Sequence, residues 1–209
     1  MKKLFITLSL ALCMCISCSG HASAQAQTSF PSVTIEEEAS NIPQELIDDI
    51  LKENPDAEHI TITEYVPAEN NSDDIVPYGY DYFDITKKTT QSRVLAKTEL
   101  VISVAKGQTT SLSSSWSATL SASVTGELPI NKLNLGASVT QSYTRSDTFV
   151  GPPEGSQYKT RKYYVGFYEA RGTYSALRVS DINPANRVTI TGNWSSPLDY
   201  VAYSTDSRV

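Results

Sequence analysis

The chain is predicted to be mainly β: an elongated antiparallel sheet or sandwich carrying a long Ser/Thr-rich amphipathic hairpin, preceded by a short helix–strand segment. Three observations predict this. After Tyr80 the composition turns to Thr and Ser, with no helix caps. Turn residues recur through the same stretch: Lys106-Gly107, Gly126, Gly151-Pro152-Pro153, Gly172, Asn183-Pro184 and Gly192-Asn193. Between them lie runs of strand length or longer at 93–105, 109–125, 133–148, 158–171, 174–179, 187–191 and 200–205. Strands at this spacing with no intervening helix form antiparallel sheets or sandwiches.

The chain opens on an export signal. Lys2 and Lys3 precede an apolar run over 4–16, and small residues follow as Ala22-Ser23-Ala24 and Ala24-Gln25-Ala26. The run is shorter than the roughly 20 apolar residues of a permanent span. Residues 1–24 are therefore read as a cleaved signal, with cleavage after Ala26 as the alternative. Lipidation of Cys18 is a competing fate, although Cys15 stands where a lipobox usually has Leu. All three cysteines, Cys13, Cys15 and Cys18, fall within this segment. Cleavage would leave no disulfide, zinc cluster or thiol nucleophile. A disulfide-free secreted chain suggests a bacterial exporter.

Charge divides what remains. Residues 25–85 hold fifteen acids against Lys52, a net of −14, whereas residues 86–209 carry a net of +6. Such asymmetry suggests two parts that attract each other, a removable part, or an acidic leader that keeps the chain soluble. Residues 25–79 are read as that leader. Its first part, 25–41, lacks periodicity and contains Glu36-Glu37-Glu38, so no ordered element is expected there. Asn41 then offers an N-cap and Pro43 a first turn. Leu46, Ile47, Ile50 and Leu51 share a face, which predicts a helix over 43–53 ended by Asn54-Pro55. Residues 59–65 alternate as a strand, and 67–79 have linker composition. Residues 80–209 form the β domain.

The segment 109–148 carries the most information. In its first arm Thr110, Leu112, Ser114, Trp116, Ala118, Leu120, Ala122 and Val124 face one way. Every residue facing the other way, from Ser111 to Thr125, bears a hydroxyl. The second arm aligns Leu133, Leu135, Ala137, Val139 and Tyr143, interrupted by Gln141. Period two over this length defines strands. Between Lys106 and Arg145 the only charges are Glu127 and Lys132, both in the connection. A hairpin with neutral arms of this length meets the requirements of a membrane-crossing barrel, whose strands need about 9–11 residues and alternate between lipid and lumen. The same alternation also builds an ordinary secreted sandwich with one wet face.

This hairpin, Leu128-Pro129-Ile130 near its turn, and the exit Asp147-Thr148-Phe149-Val150-Gly151-Pro152-Pro153 into the strand at 158–171 resemble the aerolysin-type β-pore-forming proteins, including the epsilon-toxin/mosquitocidal-toxin branch. The resemblance covers residues 93–179. It implies long twisted strands, oligomerisation, and insertion of 109–148 as a stem. Leu112, Trp116, Ala118, Leu120, Ala122, Val124, Leu133, Leu135, Ala137, Val139 and Tyr143 would then face lipid. The chain is shorter than such a protein with a separate receptor-binding domain, so no target is implied.

Other chemistry is sparse. His59 is the only histidine after the signal, and no nucleophile-elbow sequence accompanies it. Asp73-Asp74 and Asp81/Asp84 offer oxygen ligands without an EF-hand pattern. The run 158–164 interleaves Lys159, Arg161 and Lys162 with tyrosines, a surface for anionic headgroups, cell-wall polymers or glycans, or a plain exposed strand with snorkelling bases. Trp194 and Tyr200 are expected to close the core. The expected function is that of a secreted non-enzymatic protein without cofactor or metal. Its partners would be a lipid membrane, a cell-surface receptor or glycan, or further copies of itself, and not nucleic acid. The alternative is a binding or envelope-associated sandwich that forms no pore. A further expectation concerns the acidic part, which would dock on the basic part and restrain the hairpin until a protease cuts near Lys87-Lys88.

Overall fold

The structure is a computed structural model and describes residues 31–67 and 80–208. The signal with its cysteines, and the linker at 68–79, lie outside the described residues. Among the described residues the fold is mainly β, with one α-helix.

Two strands form its spine. β9 (Thr160–Ser180) and β10 (Arg187–Ser207) pair antiparallel from end to end, with Thr160 opposite Ser207 and Val179 opposite Arg187. At 21 residues each, they run about 70 Å at 3.3 Å per residue. β3 (Tyr80–Ala105) flanks β9, with register shifts that bend this long edge strand. β2 (His59–Pro67) covers the far edge of β10 over Asp199–Asp206, and β1 (Ser32–Ile35) adds to β2 in parallel. The sheet order is therefore β1-β2-β10-β9-β3.

Sequence placed turns at Gly172 and Gly192-Asn193, which split both spine strands in two. Both glycines instead sit inside continuous strands. A Cβ at Gly172 would strike the Lys88 carbonyl and the Trp194 ring, and one at Gly192 would strike the Thr125 carbonyl and Tyr174. They are sites of close approach within a strand. The helix α1 (Gln44–Glu53) lies where the apolar spacing put it, although Pro43 rather than Asn41 occupies the cap position. Residues 32–35, expected to be unstructured, form β1 because β2 supplies hydrogen-bond partners and Val33 and Ile35 reach the α1 core.

Strand alternation divides the packing. On the even-numbered positions of β9, Tyr168 meets Leu46, Ile47 and Ile50 of α1, together with Ile60, Ile62, Val201 and Tyr203. The leader is thus built into the sheet and shares its core. One ion pair among the described residues, Glu58–Arg208 at 2.6 Å, joins a leader acid to the basic part. Apolar burial, not charge, holds this region. On the odd-numbered positions, Val165 and Phe167 join Tyr200 and Ala202 beneath the hairpin arms. Trp194 and Tyr200 are both buried, as expected of core-closing aromatics.

Because Leu46 is fully buried in a core shared with β9 and β10, Leu46→Ala should cost about 2–5 kcal/mol. Urea unfolding followed by Trp fluorescence and circular dichroism should show one cooperative transition moved to lower denaturant. A separate early transition of the leader alone would contradict a shared core.

Candidate functional site

The hairpin region leaves and rejoins the sheet through a compact base. Gly107, at φ 70°, turns the chain out of β3, and its N–H donates to the Pro152 carbonyl at 2.7 Å. The Gly151 N–H donates to the Gln108 carbonyl at 2.9 Å. β4 (Thr109–Ser111) then pairs with β8 (Thr148–Val150). A row of aromatics, Trp116, Tyr143, Phe149 and Tyr163, runs up from this base with centroids 5.0–5.7 Å apart.

The arms proper are β5 (Trp116–Ser121) and β7 (Ser138–Tyr143), which among the described residues pair only with each other. All eight alternating hydroxyl residues from Ser111 to Thr125 are exposed. The Thr119 and Thr140 hydroxyls meet across that wet face at 2.8 Å. Trp116, Ala118, Leu120, Val139 and Tyr143 turn inward onto Val165, Phe167, Tyr200 and Ala202. The hairpin is therefore an amphipathic ribbon laid on a sheet to which its own ladder is not joined. Among the described residues its backbone pairing with the sheet is β6 (Ser123–Val124), which adds to β10 at Ser195 and Trp194 and is continued by the Thr125 N–H donating to the Asn193 carbonyl.

The arms are less continuous than the alternation predicts. Residues 112–115 and 144–147 are not strand, and 125–137 form a folded tip. Leu112 is half-buried in the first interruption. Ala122 and Val124 pack with the tip, and Leu133 and Leu135 are buried there with Leu128, Trp194 and the even-numbered β9 residues Ala170, Tyr174 and Ala176. Ala137 is exposed. The backbone explains this break: Asn134 is left-handed at φ 48°, and the Gly136 N–H is drawn to the Ser196 hydroxyl at 2.9 Å. The arms and tip thus cover opposite alternation faces of β9, and β6 lies at the sheet edge between them.

Specific polar contacts pin the ribbon down. Gln141, the polar interruption in the apolar stripe, is buried and donates through Nε2 to Glu64 Oε2 at 2.7 Å. The Tyr200 hydroxyl lies 3.1 Å from Glu64 Oε1 and 3.0 Å from Gln141 Oε1. Burial, with the Glu64 charge beside it, pushes the Tyr200 phenol well above its ordinary range. At the tip, Glu127 pairs with Arg178, the Tyr82 hydroxyl donates to the Glu127 carbonyl at 3.0 Å, and Lys87 Nζ donates to the Leu133 carbonyl at 3.2 Å. Lys87 also lies 4.7 Å over the Trp194 ring. Sequence pattern marked Gln141 as an anomaly but could not supply Glu64 and Tyr200, which are 77 and 59 residues away.

The basic run is not uniformly exposed. Lys159 and Lys162 are exposed, but Arg161 is held by both oxygens of Asp206 at 2.7 Å. That pairing pushes its pKa still higher. His59 Nδ1 meets the Ser32 hydroxyl at 2.7 Å and Nε2 the Thr61 hydroxyl at 3.2 Å. Burial lowers its pKa, partly offset by Asp206. Asp199 is buried against Arg93 and Tyr65, and desolvation raises its pKa despite Arg93. Among the described residues, no group of three or more His, Cys, Asp or Glu side chains is placed to hold a metal, and no helix is long and apolar enough to cross a membrane. Asp73-Asp74 lie outside the described residues. Comparison with protein-family models, curated proteins and solved structures gave no match.

Glu64→Ala removes the acceptor of Gln141 Nε2 and one of the two acceptors within reach of the Tyr200 hydroxyl. It should destabilise the hairpin's seat by about 1–3 kcal/mol and speed trypsin cleavage at exposed Arg145, read by mass spectrometry. The depressed His59 pKa favours neutral imidazole in the folded state. Its contribution to stability is therefore full above the ordinary histidine pKa of about 6.5 and is lost as pH falls through the lowered folded value. Thermal melts across this range should show a smaller acid-side loss for His59→Gln than for wild type.

Proposed function

We propose that this chain is a secreted, non-enzymatic, aerolysin-like β protein that acts on membranes by releasing residues 109–148 as a stem. The observation that carries this reading is that β5 and β7 share a ladder with each other and none with the sheet beneath them. Lifting the arms breaks side-chain contacts, the Glu64–Gln141–Tyr200 hydrogen bonds and the short β6 pairing, while the arms' own ladder survives.

Once lifted, the ribbon has one face of exposed hydroxyls and one of Trp116, Ala118, Leu120, Val139 and Tyr143. A bilayer demands that all backbone groups pair and that no edge remain open. Several copies joining their ribbons into a closed barrel would meet that demand, with hydroxyls toward the lumen. The interruptions at 112–115 and 144–147, and the bend at 134–137, would have to straighten for each arm to span. Homo-oligomers are therefore part of the proposal. Lys159 and Lys162 are the available contacts for anionic headgroups, since Arg161 is committed to Asp206. Export by residues 1–24, or anchoring through Cys18, belongs to the same reading, as does a cell-surface receptor or glycan partner.

A second reading, a static secreted binding module, is favoured by the buried seat of Gln141, which ties the hairpin to the sheet as firmly as a structural contact would. A cysteine lock separates the two. Ser123 and Ser195 are register partners with hydroxyl oxygens 2.9 Å apart. Purified mature protein should release dye from liposomes, with or without limited trypsin treatment. Ser123→Cys/Ser195→Cys should be inactive when oxidised and recover on reduction. Absence of release by wild type across several lipid mixtures, receptor-bearing membranes included, would favour the static module.

A further inference from the structure

Beyond the end of the β5 arm, where β3, β9, β10 and the β6 segment meet, the sheet carries an open cleft of about 340 Å³. This lies near the lower end of the roughly 300–1,000 Å³ of small-ligand sites. Its floor holds Glu169, which is 5 % exposed and shares the alternation face of Phe167. A carboxylate is rarely this deep without a task or a full set of partners. Here Arg171 Nε donates to Oε1 at 2.5 Å, whereas Oε2 takes no hydrogen bond among the described residues.

The surrounding polar groups are exposed and open onto the cleft. The side-chain amides of Gln91 and Asn193 make no hydrogen bond among the described residues, and the terminal nitrogens of Arg171 likewise donate to no partner there. Arg171 is nearly half exposed. The cleft thus offers a fixed carboxylate acceptor, a guanidinium and two amides, with hydroxyls and the Trp194 edge along its wall. Groups that both donate and accept, as sugar hydroxyls do, match this set. Anions do not, because Glu169 already neutralises Arg171 and would face any added negative charge.

We propose that this cleft binds one neutral sugar unit, with Glu169 and Arg171 fixing adjacent hydroxyls and the Gln91 and Asn193 amides completing the contacts. One wall is the hairpin's own chain: Ser123 and Thr125 line the cleft opposite Asn193 and Ser195, and the Thr125 N–H donates to the Asn193 carbonyl at 2.9 Å. A bound sugar therefore stabilises the seated hairpin by mass action and opposes its release. This second consequence rests on the stem reading above; the sugar site itself does not.

The test is a titration of ¹⁵N-labelled mature protein with millimolar methyl glycosides of glucose, galactose, mannose and N-acetylglucosamine, alongside sodium phosphate. At least one glycoside should shift the Gln91, Arg171 and Asn193 resonances saturably, and phosphate should not. Glu169→Gln and Asn193→Ala should each weaken that binding about tenfold, while Lys52→Ala, at an exposed α1 position outside the cleft, leaves it unchanged. Shifts from phosphate alone, shifts scattered away from the cleft, or none with any glycoside would overturn the site. Bound sugar should also slow hydrogen exchange at the Thr125 amide. Binding with unchanged exchange there would overturn the coupling and leave the sugar site standing. Binding without dye release from wild type would leave the site standing and count against the stem reading alone.

Discussion

Everything in this protein is hung on the full-length pairing of β9 with β10. A two-stranded ribbon of that length is not stable alone, because each face needs cover and each edge needs a partner. The cover is drawn from the chain's own insertions. The leader supplies α1 and β2 to one end, the hairpin arms lie on the opposite alternation face, and the hairpin tip closes the remainder. Three separate clusters result, each bonded to the spine and none to the others as one continuous core.

The hairpin's attachment contrasts with that of the leader. β2 is hydrogen-bonded into the sheet and its isoleucines are fully buried. The arms touch the sheet through buried Val139 and Gln141 and otherwise through half-buried side chains, among them the small Ala118. The polar contacts of Gln141, Glu127 and Lys87 then determine where the ribbon sits. Non-directional apolar burial alone would leave an amphipathic ribbon free to slide by two residues, since period two is preserved by such a shift. Directional bonds to Glu64, Arg178 and Lys87 remove that freedom.

The long outer edge of β3 raises the opposite problem, a row of backbone groups with no strand partner among the described residues. Lys87, Lys88, Arg93 and Lys97 lie along it, and its pairing with β9 shifts register repeatedly. Charge and bulges of this kind discourage unwanted strand addition. Two of these cations also pack over core aromatics, Lys87 on Trp194 and Lys97 on Phe167. Their ammonium groups lie 4.7 and 4.9 Å from the ring centroids, so these two charges also pack on the faces of the sheet.

The sequence alone determined the features that depend on near neighbours. Alternation announced the wet and dry sides of residues 109–125, apolar spacing announced α1 to within a residue, and the Thr/Ser-rich second half announced an antiparallel β protein. These follow because strand and helix periods are local geometric constraints. What only the tertiary structure decided depends on chain that is distant in sequence. Gly172 and Gly192 looked like turns until Trp194 and Tyr174 were seen to need their missing side chains. Residues 32–35 had no pattern of their own and became a strand because β2 offered an edge. Leu133 and Leu135 left the predicted arm because Asn134 and Gly136 bend the chain into a tip beneath which Trp194 lies. Gln141 was visible as a polar residue out of place, but its meaning lay in Glu64 and Tyr200. A hydrogen bond between residues far apart leaves no periodic trace in the sequence that makes it.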